Sequence, residues 1–143
     1  MPYIPLYEIL PSVAITETRV ITLMSSENEF HLPSGEYGFV ESFCDECDCR
    51  RAFFLVIKTG IAEPVAVITW GWESRNFYIK WFGSNEKDTI DQMIGCSLNW
   101  ASKQSQIANQ VLEMFKKMLL NDAAYISRVK RHYELFRKEI LKK

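Results

Sequence analysis

Two histidines in 143 residues leave this chain few side chains able to pass a proton near neutral pH. Other absences narrow the field further. No run of about 18 apolar residues is present, so no transmembrane helix is expected. There is no Gly-x-Ser-x-Gly elbow, no glycine loop of the kind that cradles phosphate, and no His-Glu-x-x-His pair. The common serine-hydrolase, nucleotide-loop and metalloprotease plans therefore lack their defining residues. Residues Met1 to Leu10 carry no basic stretch and contain Pro2, Pro5 and Glu8, which is not the pattern of a secretory leader. A reducing, cytoplasmic setting is the expectation that follows. Internal repeats, low-complexity segments and long linkers are also missing, and 143 residues suit one domain spanning 1–143.

What is present is dense in one place. Cys44-Asp45-Glu46-Cys47-Asp48-Cys49-Arg50-Arg51 puts three of the four cysteines within six residues. Without an export signal, such a cluster reads as a metal site before it reads as a disulfide framework. Cys44 and Cys47 have the usual Cys-x2-Cys spacing, and Cys47 and Cys49, two apart, face the same way in an extended segment. Thiolates are soft ligands that hold zinc tetrahedrally at about 2.3 Å. Three of them leave a net charge of −1 on Zn²⁺, with Arg50 and Arg51 placed to offset further negative charge from Asp45, Glu46 and Asp48. The fourth ligand must come from afar, and the candidates are Cys96, His132 and His31. On spacing alone Cys96, next to Gly95 in what reads as a loop between helices, has the advantage. Competing readings are free buried thiols, a disulfide from Cys44 or Cys49 to Cys96, or an iron–sulfur centre.

The pattern of hydrophobicity reads as α+β: a mainly antiparallel sheet of four or five strands packed by a C-terminal helical hairpin, residues 1–83 mainly β and 84–143 mainly helical. Pro2, Pro5 and Pro11 suggest an extended lead-in. Strands are expected over Val13–Met24, Tyr37–Phe43, Ala52–Lys58 and Pro64–Trp72, with Phe77–Phe82 as a hairpin partner because Phe77, Ile79 and Trp81 alternate with Tyr78, Lys80 and Phe82. Helices are expected over Glu86–Ile94, Ser102–Leu120 and Asp122–Leu141. The second carries the stripe Ile107, Val111, Met114, Phe115 and Met118, and the third the stripe Ile126, Val129, Tyr133, Phe136 and Ile140, with Asp122 as its N-cap.

Charge is unevenly spread. Residues 1–100 carry 7 Lys/Arg against 14 Asp/Glu, a net −7, and residues 101–143 carry 10 against 4, a net +6. A basic helical tail docked on an acidic body explains this without a partner, and a sequence pI near 6.1 is not that of a dedicated nucleic-acid binder.

Gly35-Glu36-Tyr37-Gly38-Phe39-Val40-Glu41, the Cys44 to Arg51 run, and Ala124 to Arg137 with its Arg128-Val129-Lys130-Arg131-His132-Tyr133 core resemble a small family of uncharacterised prokaryotic proteins. The resemblance covers about a third of the chain and implies no activity. It does imply that the cysteine run and the His132 helix form one package, which moves the fourth position towards His132, giving Cys44, Cys47, Cys49 and His132 as the metal set.

Three classes of function remain. The first is a small structural-zinc domain that binds a protein partner or itself. The second is nucleic-acid binding through Arg128, Lys130, Arg131, Arg137, Lys138, Lys142 and Lys143, with Trp70, Trp72, Phe77, Tyr78 and Trp81 as a stacking surface on the sheet. The third is an enzyme using an open metal position or an activated cysteine beside Arg50, with Glu36, Glu41 or Glu73 as base.

Overall fold

A computed structural model describes residues 3–142; Met1, Pro2 and Lys143 lie outside it. The fold is α+β, as the sequence predicts. The strands are β1 (Tyr3–Pro5), β2 (Arg19–Leu23), β3 (Gly35–Cys44), β4 (Arg51–Lys58), β5 (Ala66–Gly71) and β6 (Gly95–Leu98), and every pairing is antiparallel. The sheet has five positions but six strands, because one edge of β3 is used twice. β1 pairs with Ser42–Cys44, β2 pairs with Gly35–Phe39, and two short helices, α1 (Leu6–Ile9) and α2 (Pro11–Glu17), bridge between them. The expected strand over Val13–Met24 is therefore half helix: Pro11 stands at the first helical position, where its missing N–H costs nothing, and extended structure begins only after Thr18.

One face of the sheet is the core. Tyr37, Phe39 and Phe43 on β3 and Ala52, Phe54 and Val56 on β4 alternate inward and are fully buried. They meet α5 (Ala108–Met114) and α6 (Ala123–Leu141): the Phe115 ring packs on Phe39 and Phe54, and the Phe136 ring on Phe43. The helix expected over Ser102–Leu120 begins six residues later than its periodicity suggests. Gln104 is spent on the sheet instead, accepting from Val67 N and donating to Val67 O, so that it extends the ladder beyond the end of β6. After Met114 the helix widens into one π turn, Phe115–Leu119. That turn carries Met118 to the surface, 39% exposed, and puts Leu119 into the core in its place. Asp122 caps α6 as expected, accepting from Ala124 N and Tyr125 N.

The other face is covered at one end by α3 (Arg75–Phe82) and α4 (Lys87–Met93). Here the strand expected at Phe77–Phe82 is a helix. Six alternating residues fit either period, and the flanks decide: the Ser74 hydroxyl accepts from Phe77 N, and Gly83 ends the helix in the left-handed region at φ 82°. α3 and α4 sit so close to the sheet that a Cβ built on Gly71 would stand 2.0 Å from Met93 O and 2.7 Å from the Tyr78 hydroxyl. β6, which hydrogen-bonds to β5, lies in the half expected to be helical, so the β-rich and helical halves interleave. No helix among the described residues is long and apolar enough to cross a membrane.

Phe136 is fully buried against Phe43, so Phe136→Ala is expected to cost about 3–5 kcal/mol in urea unfolding. Lys138 is exposed on the same helix, and Lys138→Ala is expected to stay within about 0.5 kcal/mol of the unsubstituted protein.

Candidate functional site

Cys44 is the last residue of β3 and Arg51 the first of β4, so the cysteine run is the connection between two central strands. Cys44 pairs with Tyr3 and points to the face opposite the core helices, since Phe43 points into them. Cys44 Sγ and Cys47 Sγ stand 2.9 Å apart. Cys49 is buried. All four cysteines are free. Burial, reinforced by the neighbouring thiols, pushes the Cys47 thiol well above its ordinary range; burial also raises Cys49, with the Arg51 charge opposing it. Raised thiols of this kind are weak nucleophiles unless a metal or a base ionises them.

The loop is held from two sides. Arg50 adopts φ +52°, a left-handed conformation that costs energy in any residue with a Cβ. Its N–H donates to the Tyr133 hydroxyl at 2.9 Å, and its C=O accepts from the Tyr78 hydroxyl at 2.9 Å. The Tyr133 hydroxyl in turn donates to Asp48 Oδ1 at 2.6 Å. Arg137, one turn along α6, donates to Cys47 O at 2.8 Å. The Arg50 guanidinium binds Glu73 at 3.1 Å and lies over the Phe77 ring. The cysteine loop and the C-terminal helix are thus physically joined, through Tyr133 and Arg137.

His132 itself is directed elsewhere. It is fully buried between two carboxylates, Nδ1 at 2.8 Å from Glu41 Oε1 and Nε2 at 3.1 Å from Glu17 Oε1. Both ring nitrogens are taken, and no lone pair remains for a metal in this arrangement. Cys96 is on β6, not in an interhelical loop. It is the cross-strand partner of Trp70 at the far edge of the sheet, and burial pushes its thiol up to about 12. His31 sits in the loop before β3 at φ +57°, exposed, among Glu29, Gln110, Glu113 and Lys117. The structure brings Cys44, Cys47 and Cys49 together and leaves all three distant candidates apart from them. Among the described residues no set of three or more His, Cys, Asp or Glu side chains already forms a metal cage. Thiolates on one zinc stand about 3.7 Å apart given bonds near 2.3 Å, so Cys44 and Cys47 would have to separate on loading.

The aromatic residues expected to share one surface on the sheet are divided between elements. Phe77, Tyr78 and Trp81 are helical, Tyr78 is buried, and Trp70 points into the core. The basic residues of α6 are largely engaged: Arg128 and Arg131 with Glu17, Arg137 with Asp48, Lys142 with Glu139. Of the other bases considered, Glu41 is bound to His132 and Glu73 to Arg50.

Sequence reasoning missed Tyr133, Tyr78 and Glu17 as site residues. The first sat in an apolar stripe with nothing to mark its hydroxyl. Glu41 carried a readable signal: a carboxylate on the inward face of Tyr37-Phe39-Glu41-Phe43 requires a buried partner.

On the free side of the sheet a cleft of about 800 Å³ opens between Tyr3, Arg51 and Phe53 of the sheet, Met93 and the acidic residues of α4, with exposed Trp100 among its walls.

Two predictions test these anchors. Tyr133→Phe removes the Asp48 bond and leaves Arg50 N–H without its acceptor, so a loss of about 1–3 kcal/mol is expected in chemical denaturation. Burial alone would lower the pKa of His132, but Glu41 and Glu17 outweigh it and hold it above its ordinary value. The stabilisation from a raised histidine is complete below its unfolded pKa, near 6.5, and is lost as pH climbs through the higher folded value. Unfolding free energy should therefore fall from neutral towards alkaline pH, and His132→Gln should remove that slope. His132→Ala, which strands buried Glu41, should cost about 3–5 kcal/mol.

No protein-family model, curated protein or solved structure matches the chain.

Proposed function

We propose that the chain is a small zinc-binding domain in which Cys44, Cys47 and Cys49 hold a structural metal, and that its surface serves as an interaction module for a protein partner or a second copy. The observation that carries the reading is the closeness of three free thiols in one short loop, with two sulfurs 2.9 Å apart. The loop carries a strained Arg50 backbone and is tied down by Tyr78, Tyr133 and Arg137, which keeps the three thiols near one another while leaving Cys44 and Cys47 to part on loading. Zinc would supply the charge that lets neighbouring thiols ionise together, and would tie the β3–β4 connection to itself. The interaction role rests on the outer sheet face, where Val20 and Ile57 are exposed beside half-buried Val40, Leu55 and Val67, next to the cleft with Trp100. A soluble monomer seldom leaves so many apolar side chains together without use.

Protein purified without chelator should carry one zinc per chain by elemental analysis, with Cys47→Ser lowering the thermal midpoint more than Cys96→Ser. Zinc well below one equivalent, three freely titrating thiols in the folded protein, or equal midpoints for the two variants would each defeat the metal reading.

A further inference from the structure

Arg50 and Arg51 are adjacent and end in opposite situations. Arg50 has the carboxylates of Glu73 and Asp48 beside it. Arg51 is half-buried at the start of β4, and among the described residues no carboxylate pairs with it. Its position is fixed all the same. One guanidinium nitrogen donates to Gln92 O at 3.2 Å, the group lies 5.0 Å from the centre of the Phe53 ring, and Nε is buried without a hydrogen-bond partner. The Tyr3 ring packs on Phe53 as well, with centroids 3.4 Å apart. A half-buried cation without a counter-charge is costly, yet acids stand in the same cleft and are used elsewhere. Asp91 is taken by Arg75 and Lys87, and Glu86 turns back to cap α4, accepting from Asp88 N and Thr89 N.

We infer that the cleft of about 800 Å³ above Arg51 binds a small aromatic monocarboxylate, its carboxylate on the Arg51 guanidinium and its ring against Trp100 and Tyr3. The inference goes beyond the zinc reading and uses none of the thiols. The volume lies within the range of small-molecule sites, about 300–1,000 Å³. A carboxylate is planar and matches the fork of a guanidinium, and a guanidinium already held by Phe53 and Gln92 loses little freedom on binding it. Burial pushes the Tyr3 hydroxyl up to about 12, with the Arg51 charge opposing, so the phenol keeps its proton and has a donor to offer the same anion. The apolar part of the ligand is met by Met93 and by the Trp100 indole, which is 81% exposed and gains cover from a ring laid against it. Exposed Glu86 and Asp88 give the mouth a negative rim. One positive charge at the floor suffices for a single carboxylate, while phosphate esters and nucleotides, with more negative charge, are turned away.

The test is calorimetric titration of the full chain with cinnamate, against cinnamyl alcohol as its uncharged counterpart and adenosine monophosphate as a dianion. Cinnamate should bind at one site per chain, with the alcohol and the nucleotide each at least about tenfold weaker. Arg51→Gln should abolish the preference for cinnamate over the alcohol. Trp100→Ala, at an exposed position, should leave the thermal midpoint unchanged and weaken cinnamate about threefold or more. Asp88→Asn should narrow the gap between cinnamate and the nucleotide. No binding of cinnamate by the unsubstituted protein, equal affinity for cinnamate and its alcohol, or unaltered binding in Trp100→Ala would each overturn the assignment. The comparison of acid with alcohol and the Trp100 variant decide the matter even if Arg51→Gln does not fold.

Discussion

The hydroxyl of Tyr133 is the point through which the two layers of this molecule act on each other. Its ring belongs to the helix layer, edge-on to Phe43 and Trp72, while its oxygen accepts from Arg50 N and donates to Asp48. A phenol suits the position because its body is apolar and its tip carries both a donor and an acceptor. Burial raises the group well above the ordinary tyrosine range, so the proton that Asp48 receives stays in place at any physiological pH. Without that oxygen the left-handed turn at Arg50 would lose an anchor from α6, and the spacing of the thiols would be set by a flexible connection.

A second polar device works inside the core. Glu41 lies on the inward face of β3 between Phe39 and Phe43 and opposite Phe54, and it is tolerable there because His132 meets it. Two carboxylates around one imidazole favour its charged form, while burial raises the Glu41 carboxyl and His132 opposes that rise. Glu17 completes the set from the end of α2 and is itself held low by Arg131 and His132. The network fastens the N-terminal crossover, the central sheet and the last helix to one another.

The parts of the fold set by periodicity were legible. α6 has its stripe, its cap and its length where the spacing of Val129, Tyr133 and Phe136 requires them, and the inward alternation of Tyr37, Phe39 and Phe43 marks β3. Errors arose where two periods fit equally well or where a side chain took over a backbone role. Phe77–Phe82 alternates as a strand would, yet Ser74 and Gly83 close it as a helix. Gln104 sits in a helical pattern and is used as a piece of sheet. At the candidate site, the three cysteines were visible from spacing alone, because adjacent residues in one loop need no knowledge of the fold to be placed together. The link to α6 was expected through His132 and is made by the next residue. Rotation of about 100° per residue separates a ring aimed at β3 from one aimed at the loop, and no one-dimensional pattern distinguishes them.

That same angular arithmetic gives the π turn at Phe115–Leu119 a meaning beyond its own packing. The extra residue resets the phase of everything that follows, and only residues 120–122 separate it from α6. Were the turn an ordinary α-helical one, the chain would leave α5 rotated by roughly 100°, with Met118 inward and the start of α6 displaced. A connection of three residues has little slack to absorb such an error. The widened turn thus sets the phase in which the chain leaves α5, moving Met118 out and Leu119 in just before the short link to α6.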